Sequence, residues 1–186
     1  AVADLQEAIV SGEKELNLVD YVTKPSVTAD DPDLTKEMDS LNKIAKVTGN
    51  YTINGNTFQI PRETIMDWLS YKDGNTTIDE DKVRSYVTSI GEQYNTSTNS
   101  STFQSTKQGE VTVPAGTLSW TIQTDAETEA LIEALKAGED FTRTPIAQGS
   151  TDAGSPLFGN TYIEVDLKNQ HMWYYKDGEL VLDTKI

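Results

Sequence analysis

The 186-residue sequence contains one histidine and no cysteine, so it offers few side chains for nucleophilic or metal chemistry. The lack of cysteine excludes disulfides, thiolate metal sites and a cysteine nucleophile within these residues. His171 begins a predicted strand, and the sequence places no thiol, hydroxyl or metal-ligand set beside it. We therefore interpret His171 as a surface residue next to a turn.

Two groups of carboxylates could hold a cation, but each has a simpler structural explanation. Residues 79–81, Asp-Glu-Asp, lack EF-hand spacing and are typical of an N-cap and the first turn of a helix. The aspartates at positions 30, 31 and 33 could bind Ca²⁺ loosely, and a linker containing Pro32 explains them equally well. The sequence therefore predicts no catalytic residue, no cofactor-binding residue, no metal ligand and no cofactor.

Three tryptophans are the best candidates for stacking on sugar rings: Trp68, Trp120 and Trp173. Trp68 lies on the apolar face of a predicted helix, and Trp120 is in phase with apolar residues of a predicted strand. Both are therefore expected in the core. Trp173 is followed by Tyr174 and Tyr175 on the same predicted strand, so the sequence does not assign Trp173 to the buried or to the exposed face.

The composition limits the possible partners. Fifteen basic and thirty acidic residues give a net charge of −15, without a basic stripe that could neutralise phosphates. This argues against a nucleic-acid partner and against direct contact with an anionic membrane surface. A membrane-spanning helix needs about 20 consecutive apolar residues, and no apolar run in this sequence approaches that length. Because the chain starts at Ala1, we expect it to be excised from a longer protein with an export signal or anchor.

One helix with two marked ends organises the sequence. Thr124 and Glu127 form a capping-box pattern, and Gly138 occupies the position of a left-handed C′ residue. Residues 5–13 repeat residues 131–139 at a constant offset of 126. The repeat predicts that residues 1–30 are the tail of a preceding copy with a linker, and that residues 31–156 are a complete module. The alternative is two unrelated short helices that end in Gly-Glu.

Within residues 31–156 the patterns predict an α+β module. Helices are expected to begin at Thr35, Pro61 and Asp79, and the second is expected to end at residues 73–74. A hairpin turns at residues 54–55, Asn-Gly. Residues 102–107 and 109–122 are predicted strands, the second with a turn at residues 114–116. The helical faces expected to be buried consist of Met38, Leu41, Ile44, Ala45, Ile65, Met66, Trp68, Leu69, Val83, Tyr86, Val87 and Ile90.

Two polar stretches are interpreted as irregular. Residues 95–101 contain only Asn, Thr and Ser, so we predict a mobile loop with a solvated backbone. Residues 148–156 are rich in Gly, Ser and Asp and are predicted to be a second linker, as are residues 22–33 before the module.

Residues 161–186 predict a three-stranded meander, with turns at residues 168–170 and 177–178. Such a sheet is marginal alone. Its apolar residues must pack on the preceding module, pair with another copy or stay loosely ordered. We predict that the isolated chain associates through residues 160–186 or is disordered there.

The stretch GNTYIEVDLKNQHMWYYKDGELVLDTKI, residues 159–186, resembles the opening strands of the catalytic domain of L,D-transpeptidases, which have the YkuD-type fold. Residues 31–156 resemble the peptidoglycan-binding module that precedes this domain in many Gram-positive members, often in tandem copies. The resemblance is close to the enterococcal members. The matching features of the module are residues 56–61, residues 66–69, Ile78, Asp79, Val83, Tyr86, residues 103–105, residues 118–122 and residues 131–138.

The resemblance implies an α+β chain in which a mixed helix and hairpin module, residues 31–156, precedes the first strands of a β-sandwich catalytic domain, residues 157–186. It implies a secreted cell-wall parent enzyme, held by an N-terminal membrane segment, with peptidoglycan (glycan or stem peptide) as its partner. The parent's cysteine would form an acyl-enzyme, release the terminal D-alanine of a tetrapeptide stem and make a 3→3 cross-link.

The family's catalytic motif is not present in this sequence. The motif is a cysteine in a Ser-His-Gly-Cys stretch with a second histidine upstream, whereas this chain has only His171 and no cysteine. No catalytic residue can be transferred to any position, so these residues alone are predicted to have no transpeptidase activity. The alternative function is a non-catalytic peptidoglycan-binding or spacer protein in which the meander only caps the module.

Overall fold

The computed structural model describes residues 2–12, 31–72 and 74–186. The chain divides into two compact units, residues 1–36 and residues 37–186. The first unit contains helix α1 (Val2–Ser11), followed by Gly12 with a φ of 74°. Most of the linker predicted at residues 22–33 lies outside the described residues. In the part of the chain that the structure describes, no helix has the length and apolar character needed to cross a membrane.

Helix α2 (Pro32–Ala45) begins earlier than predicted. Asp31 Oδ1 accepts hydrogen bonds from the backbone N–H groups of Asp33 (2.9 Å) and Leu34 (3.4 Å), as an N-cap residue does. Pro32 then occupies the first helical position, where its missing N–H costs nothing. Thr35 is therefore not the cap, and residues 32–33 belong to the helix instead of a linker.

The first sheet has the strand order β2-β1-β8 and contains β1 (Gly49–Ile53), β2 (Asn56–Gln59) and β8 (Phe141–Arg143). β1 pairs antiparallel with β2 and parallel with β8. The predicted Asn54-Gly55 turn is confirmed, since both residues have positive φ angles of 51° and 76°. Gly55 also allows a close approach, because a Cβ there would lie 2.8 Å from Pro156 Cγ.

Helix α3 (Arg62–Trp68) is shorter than predicted, because the chain turns into a hairpin of β3 (Leu69–Lys72) and β4 (Asn75–Ile78). Ile65 and Trp68 are buried as expected, whereas Met66 is exposed. The expected helix end at residues 73–74 is wrong. Gly74, with a φ of 81°, belongs to the turn of this hairpin, and Asp73 lies outside the described residues.

Helices α4 (Glu80–Tyr94) and α5 (Thr124–Ala137) pack against each other. The predicted cap of α4 is confirmed, since Asp79 Oδ1 accepts a hydrogen bond from the Lys82 N–H at 3.2 Å. Gly138 ends α5 with a φ of 72°, as predicted. The capping box of α5 is wrong, because Glu127 is buried in the core. The core cluster consists of Ile44, Val47, Tyr51, Ile53, Ile60, Ile65, Trp68, Val83, Val87, Ile90, Trp120, Ile122, Leu131, Leu135 and Ala153.

The predicted strand over residues 109–122 is two strands in different sheets. β6 (Gly109–Val113) pairs with β5 (Ser101–Ser105), and β7 (Trp120–Ile122) pairs with β9 (Ala147–Gly149). Trp120 and Ile122 are buried, whereas Leu118, which has the same phase in the sequence, is 48% exposed.

Residues 95–97 are hydrogen-bonded along the other edge of β7, so for this part of residues 95–101 the expectation of a solvated backbone is wrong. The Trp120 N–H donates to Thr96 Oγ1 (2.9 Å), and the Trp120 carbonyl accepts from the Ser97 N–H (3.2 Å). The Ile122 N–H donates to Asn95 Oδ1 at 2.9 Å. The side-chain oxygens of Thr96 and Asn95 thus accept the hydrogen bonds that the backbone carbonyls of a neighbouring strand would otherwise accept from β7.

The second predicted linker, residues 148–156, is also bonded to the module. Ala153 is buried in the core cluster. The carbonyls of Ala153 and Gly154 accept hydrogen bonds from the N–H groups of Asn54 (2.8 Å) and Gly55 (2.9 Å) at the hairpin turn. This stretch is a docked segment and not a free linker.

The predicted meander is confirmed as β10 (Tyr162–Asp166), β11 (His171–Lys176) and β12 (Glu179–Lys185), paired antiparallel in that order. One face contacts the β5–β6 hairpin. The opposite face is largely uncovered, and Ile163 on it is 62% exposed. The expected disorder is therefore wrong, whereas association through residues 160–186 stays a prediction, as do the domain boundaries after residues 30 and 156.

Candidate binding groove

A groove of about 560 Å³ lies where residues 95–101, strand β5 and residues 156–162 meet. The turn of the β1–β2 hairpin and the last turn of α4 complete its walls. A second cavity, of about 170 Å³, adjoins it and shares Thr96, Ser101, Leu157 and Phe158 with it. Every residue lining either cavity is uncharged. The combined surface is a polar and aromatic groove without formal charge.

The docked segment positions one side of the groove. The hydrogen bonds from Asn54 and Gly55 hold residues 153–154 against the hairpin turn, and the ring of Pro156 packs on Gly55. The following residues, 157–160, then pass beside β5. The other side is fixed by the hydrogen bonds that join residues 95–97 to β7.

Aromatic side chains line the groove, and other aromatic rings hold them in place. Phe103 makes edge contacts with Phe158 and Tyr162, with ring centroids 5.4 and 5.2 Å apart. Tyr94 stacks on Phe58 at 5.5 Å. Such pairs favour defined ring orientations, so these aromatic walls are preformed.

The groove also has side-chain amides that are free to bind a ligand. Among the described residues, the side chains of Gln93, Gln104 and Asn160 have no hydrogen-bond partner. Asn54 Oδ1 is buried and likewise unpaired. Asn99 Nδ2 is already occupied, since it donates to two backbone carbonyls. Each free amide offers both donor and acceptor atoms to a neutral polar ligand.

None of the three tryptophans considered as stacking residues is available. Trp68, Trp120 and Trp173 are 2%, 0% and 1% exposed. The core positions predicted for Trp68 and Trp120 are confirmed. The strand pairing places Trp173 opposite Glu164, on the face that meets the β5–β6 hairpin, where Lys107 Nζ lies 5.4 Å from its ring centroid.

His171 is more enclosed than a turn-flanking surface residue. Its ring stacks on Trp173, with centroids 4.4 Å apart, and its Nε2 is hydrogen-bonded to Asp183 Oδ1. This hydrogen bond lowers the pKa of the Asp183 carboxyl. The pair lies on the meander face that meets the β5–β6 hairpin, and neither residue lines the groove.

Two of the carboxylates considered for cation binding act as helix caps, and Asp30 lies outside the described residues. Asp79 caps α4 and Asp31 caps α2. Within residues 2–12, 31–72 and 74–186, no group of three or more His, Cys, Asp or Glu side chains is arranged to hold a metal ion.

The residues that form the groove could not be recognised from the sequence. Phe158 lies in a stretch interpreted as the start of a new domain, and Gln104 and Asn160 have no local pattern that marks them. The only local sequence feature that coincides with the groove is the uncharged run at residues 95–101, which was interpreted as a loop. The groove arises from contacts between segments about 60 residues apart, such as Phe103 with Phe158 and Tyr162.

Comparisons with known proteins agree with this architecture. Residues 21–143 match a family model described as "Putative peptidoglycan binding domain". A crystal structure of a cysteine-to-serine mutant of Enterococcus faecium L,D-transpeptidase is 61% identical, with a TM-score of 0.77 over 81% of this chain and 60% of that chain. The structure of an Ldtfm–avibactam carbamoyl enzyme is also 61% identical, with a TM-score of 0.77 over 82% of this chain and 60% of that chain.

The chain therefore spans about three fifths of the length of these solved chains. A comparison with curated proteins finds no match. The α+β class and the resemblance drawn from the sequence are both confirmed. Because the family model matches well over half of its residues, the chain belongs to the peptidoglycan-binding domain family, and it is similar to part of an enterococcal L,D-transpeptidase.

Proposed function

We propose that this chain is part of a cell-wall L,D-transpeptidase and supplies the enzyme's peptidoglycan-binding module. One observation carries the proposal: a chain whose residues 21–143 match a peptidoglycan-binding family is also 61% identical to an L,D-transpeptidase over most of its length. The proposal places the whole protein outside the cell, at the wall, secreted and held by an N-terminal membrane segment.

The domain organisation is part of this proposal. Residues 31–156 are the binding module, residues 157–186 are the first strands of the catalytic domain, and residues 1–30 end a preceding copy. The last point is supported by α1 and α5, which both end at a glycine with a left-handed φ, 74° at Gly12 and 72° at Gly138.

The chemistry of the whole protein would be acyl transfer through a cysteine that lies outside these 186 residues. Its thiolate would attack the stem-peptide carbonyl that is bonded to the terminal D-alanine, and D-alanine would leave with a proton on its amine. An acceptor amine would then attack the thioester and release the thiol, which gives a 3→3 cross-link. Within this scheme, the present chain holds the enzyme on its polymeric substrate.

The test of the binding role is co-sedimentation of the chain with purified Gram-positive peptidoglycan sacculi. We expect the chain to move into the pellet in a saturable manner. Because the groove is uncharged and the chain carries a net charge of −15, raising the salt concentration should leave binding unchanged or strengthen it. A chain that stays in the supernatant at every salt concentration would contradict the proposal.

The enzymatic part is tested on the whole protein with a tetrapeptide-stem donor. Mass spectrometry should detect an acyl-enzyme that has lost D-alanine, followed by 3→3-linked dimers when an acceptor is added. If the whole protein forms neither species, the proposed reaction is wrong, whereas the binding role is judged separately by sedimentation.

A further inference from the structure

We infer that the groove beside β5 binds the glycan strand of peptidoglycan, an uncharged polymer of N-acetylated amino sugars, and not the stem peptides. The inference rests on the proposed function and assigns to it a site and a ligand class. It follows from three properties of the groove: its charge, its aromatic walls and its free amides.

The charge of the groove distinguishes the two components of peptidoglycan. About a quarter of the chain's residues are charged, yet none of those lining the groove or the adjoining cavity is. Stem peptides carry carboxylates and amines, and a site without opposite charges would desolvate these groups without compensation. The hydroxyl and acetamido groups of a glycan are neutral and need only hydrogen-bonding partners.

The aromatic walls match the shape of a sugar. A pyranose ring presents apolar C–H faces that pack on aromatic rings, and the polar groups lie around its edge. Phe103 and Phe158 supply such a surface where β5 meets residues 156–162, and Tyr94 supplies another at the end of α4. These rings are locked by their neighbours, so little side-chain entropy is lost on binding.

The free amides match the edge of the sugar. Gln104 and Asn160 lie on the two segments that also contribute Phe103 and Phe158, and Gln93 lies beside Tyr94. Their amides can each donate to and accept from hydroxyl and acetamido groups. Asn54 Oδ1 is buried without a donor in the described part of the chain, and a ligand hydroxyl entering beside it would supply one.

The extent of the groove suits a polymer. A site of about 560 Å³ is within the usual range for ligand sites, and the second cavity continues it past Phe158. The lining of this second cavity includes Pro114, Ala115 and Leu118, which are again uncharged and can cover a further apolar sugar face. A strand of several sugars can therefore occupy both cavities.

The experiment is a titration of the full chain with the β-1,4-linked tetramer of N-acetylglucosamine and, separately, with an isolated stem peptide. Calorimetry and backbone amide shifts should detect binding of the tetramer only, with shifts concentrated in residues 101–104 and 156–162. The double substitution Gln104→Ala with Asn160→Ala should weaken this binding about 10- to 30-fold, since each lost hydrogen bond to a neutral partner is worth about 5-fold.

The matched control is Gln59→Ala. Gln59 is also an exposed strand glutamine, with no side-chain hydrogen bond among the described residues, and it lies outside both cavities. It should leave the affinity for the tetramer within 2-fold of the unsubstituted chain.

The outcomes separate this inference from the proposed function. If sacculi bind the chain but the tetramer does not, or if the stem peptide shifts the groove residues, the glycan inference is overturned and the binding role stands. If the double substitution binds the tetramer as tightly as Gln59→Ala does, the groove is the wrong site. If sacculi do not bind at all, the proposed function fails and the inference fails with it.

Discussion

The core of the module and the junction between the β5–β6 hairpin and the meander are stabilised by different contacts. The core is a continuous cluster of buried apolar side chains that draws on α2, α3, α4, α5 and two sheets. The junction instead joins the hairpin turn, residues 105–108, to β10 and β11 through two carboxylates and a few aromatic contacts. Burial of apolar area is insensitive to pH, whereas carboxylate hydrogen bonds are not.

The carboxylates of the junction are held in a defined geometry. Glu164 accepts hydrogen bonds from Ser105 Oγ (2.5 Å) and from the N–H (3.0 Å) and Oγ1 (2.5 Å) of Thr106. Burial opposes the ionisation of Glu164, but these hydrogen bonds outweigh it and lower its pKa. The pKa of Asp166 is also lowered, chiefly by hydrogen bonds from Asn169 and further by one from Gln108. The meander is thus attached to the module by contacts that acid should release.

The largest effect is expected in the core. Trp120→Ala removes a fully buried indole and should lower the free energy of unfolding by about 3–5 kcal/mol. Urea denaturation followed by far-UV circular dichroism measures this change. Leu118→Ala is the control, because Leu118 has the same phase in the sequence but is exposed, and it should cost less than about 0.5 kcal/mol. Equal losses for both would contradict the assignment of the core.

The second effect concerns the one buried ion pair among the described residues. Glu127, 1% exposed, accepts the Tyr51 hydroxyl (2.5 Å) and the N–H of Ile146 (2.7 Å), and it pairs with Arg143. Burial, followed by the nearby Glu127 charge, raises the pKa of Tyr51, so its hydroxyl stays protonated as the donor. Glu127→Ala should cost about 3 kcal/mol, because it leaves the partly buried Arg143 charge without a counterion and the buried Tyr51 hydroxyl without its acceptor.

The control for this ion pair lies two residues away on α5. Asp125 is exposed and pairs with Arg84, so Asp125→Ala should cost less than about 1 kcal/mol. If urea unfolding gave both substitutions the same small cost, Glu127 would not connect β1, α5 and β8 as the structure indicates.

The third effect is a pH dependence at the junction. The pKa of Glu164 is lower in the folded chain, so its stabilising contribution is complete above the unfolded value of about 4.3 and is lost as the pH falls through the folded value. The protection factors of the amides in β10 and β11 should therefore fall below about pH 4, before those of the amides in α4 and α5 do.

Glu164→Gln should remove most of this pH dependence and weaken the junction by about 1–2 kcal/mol at neutral pH. Glu179→Gln, on strand β12 of the same sheet, is the control, since Glu179 is exposed and has no hydrogen-bonded side-chain partner in the described chain. A pH profile unchanged by Glu164→Gln would show that apolar contacts alone hold the meander.

A smaller effect is expected at the uncovered face of the meander. The side chains of this face are Ile163, Val165, Met172, Tyr174 and Leu182. Ile163→Lys should shift any self-association of the full chain toward the monomer in sedimentation velocity, and it should change the unfolding free energy by less than about 0.5 kcal/mol. Association that persists unchanged in this variant would exclude this face as the contact.

Local patterns predicted the elements whose signals are local. The Asn54-Gly55 turn, the Asp79 cap, the left-handed Gly138 and the three strands of the meander each depend on neighbouring residues. The hairpin of β3 and β4 could also have been predicted, because Asp73-Gly74 between alternating residues is the same signal as Asp177-Gly178. The helix ahead of it is predicted too long, because Leu69, the first residue of β3, was counted on its buried face and residues 73–74 were interpreted as its end.

The elements that were predicted wrongly depend on distant partners. Residues 95–97 are polar, and only their hydrogen bonds to β7, more than 20 residues away, reveal that they form an edge of the sheet. Glu127 fits a capping box, but burial beside Tyr51 and Arg143 gives it a different role. The groove could not be predicted for the same reason, since Phe103 meets Phe158 only in the folded chain.

We predict that the module folds around its own core and that the meander is attached to it by a separable junction. Calorimetry of the chain truncated after Ser155, compared with the full chain, tests this most directly. The truncated chain keeps Ala153 and every other residue of the core cluster, so we predict a single cooperative transition. Its midpoint should fall only by about 2–8 °C, the equivalent of losing 1–2 kcal/mol. A truncated chain without a cooperative transition would contradict the claim and make the meander part of the module's own core.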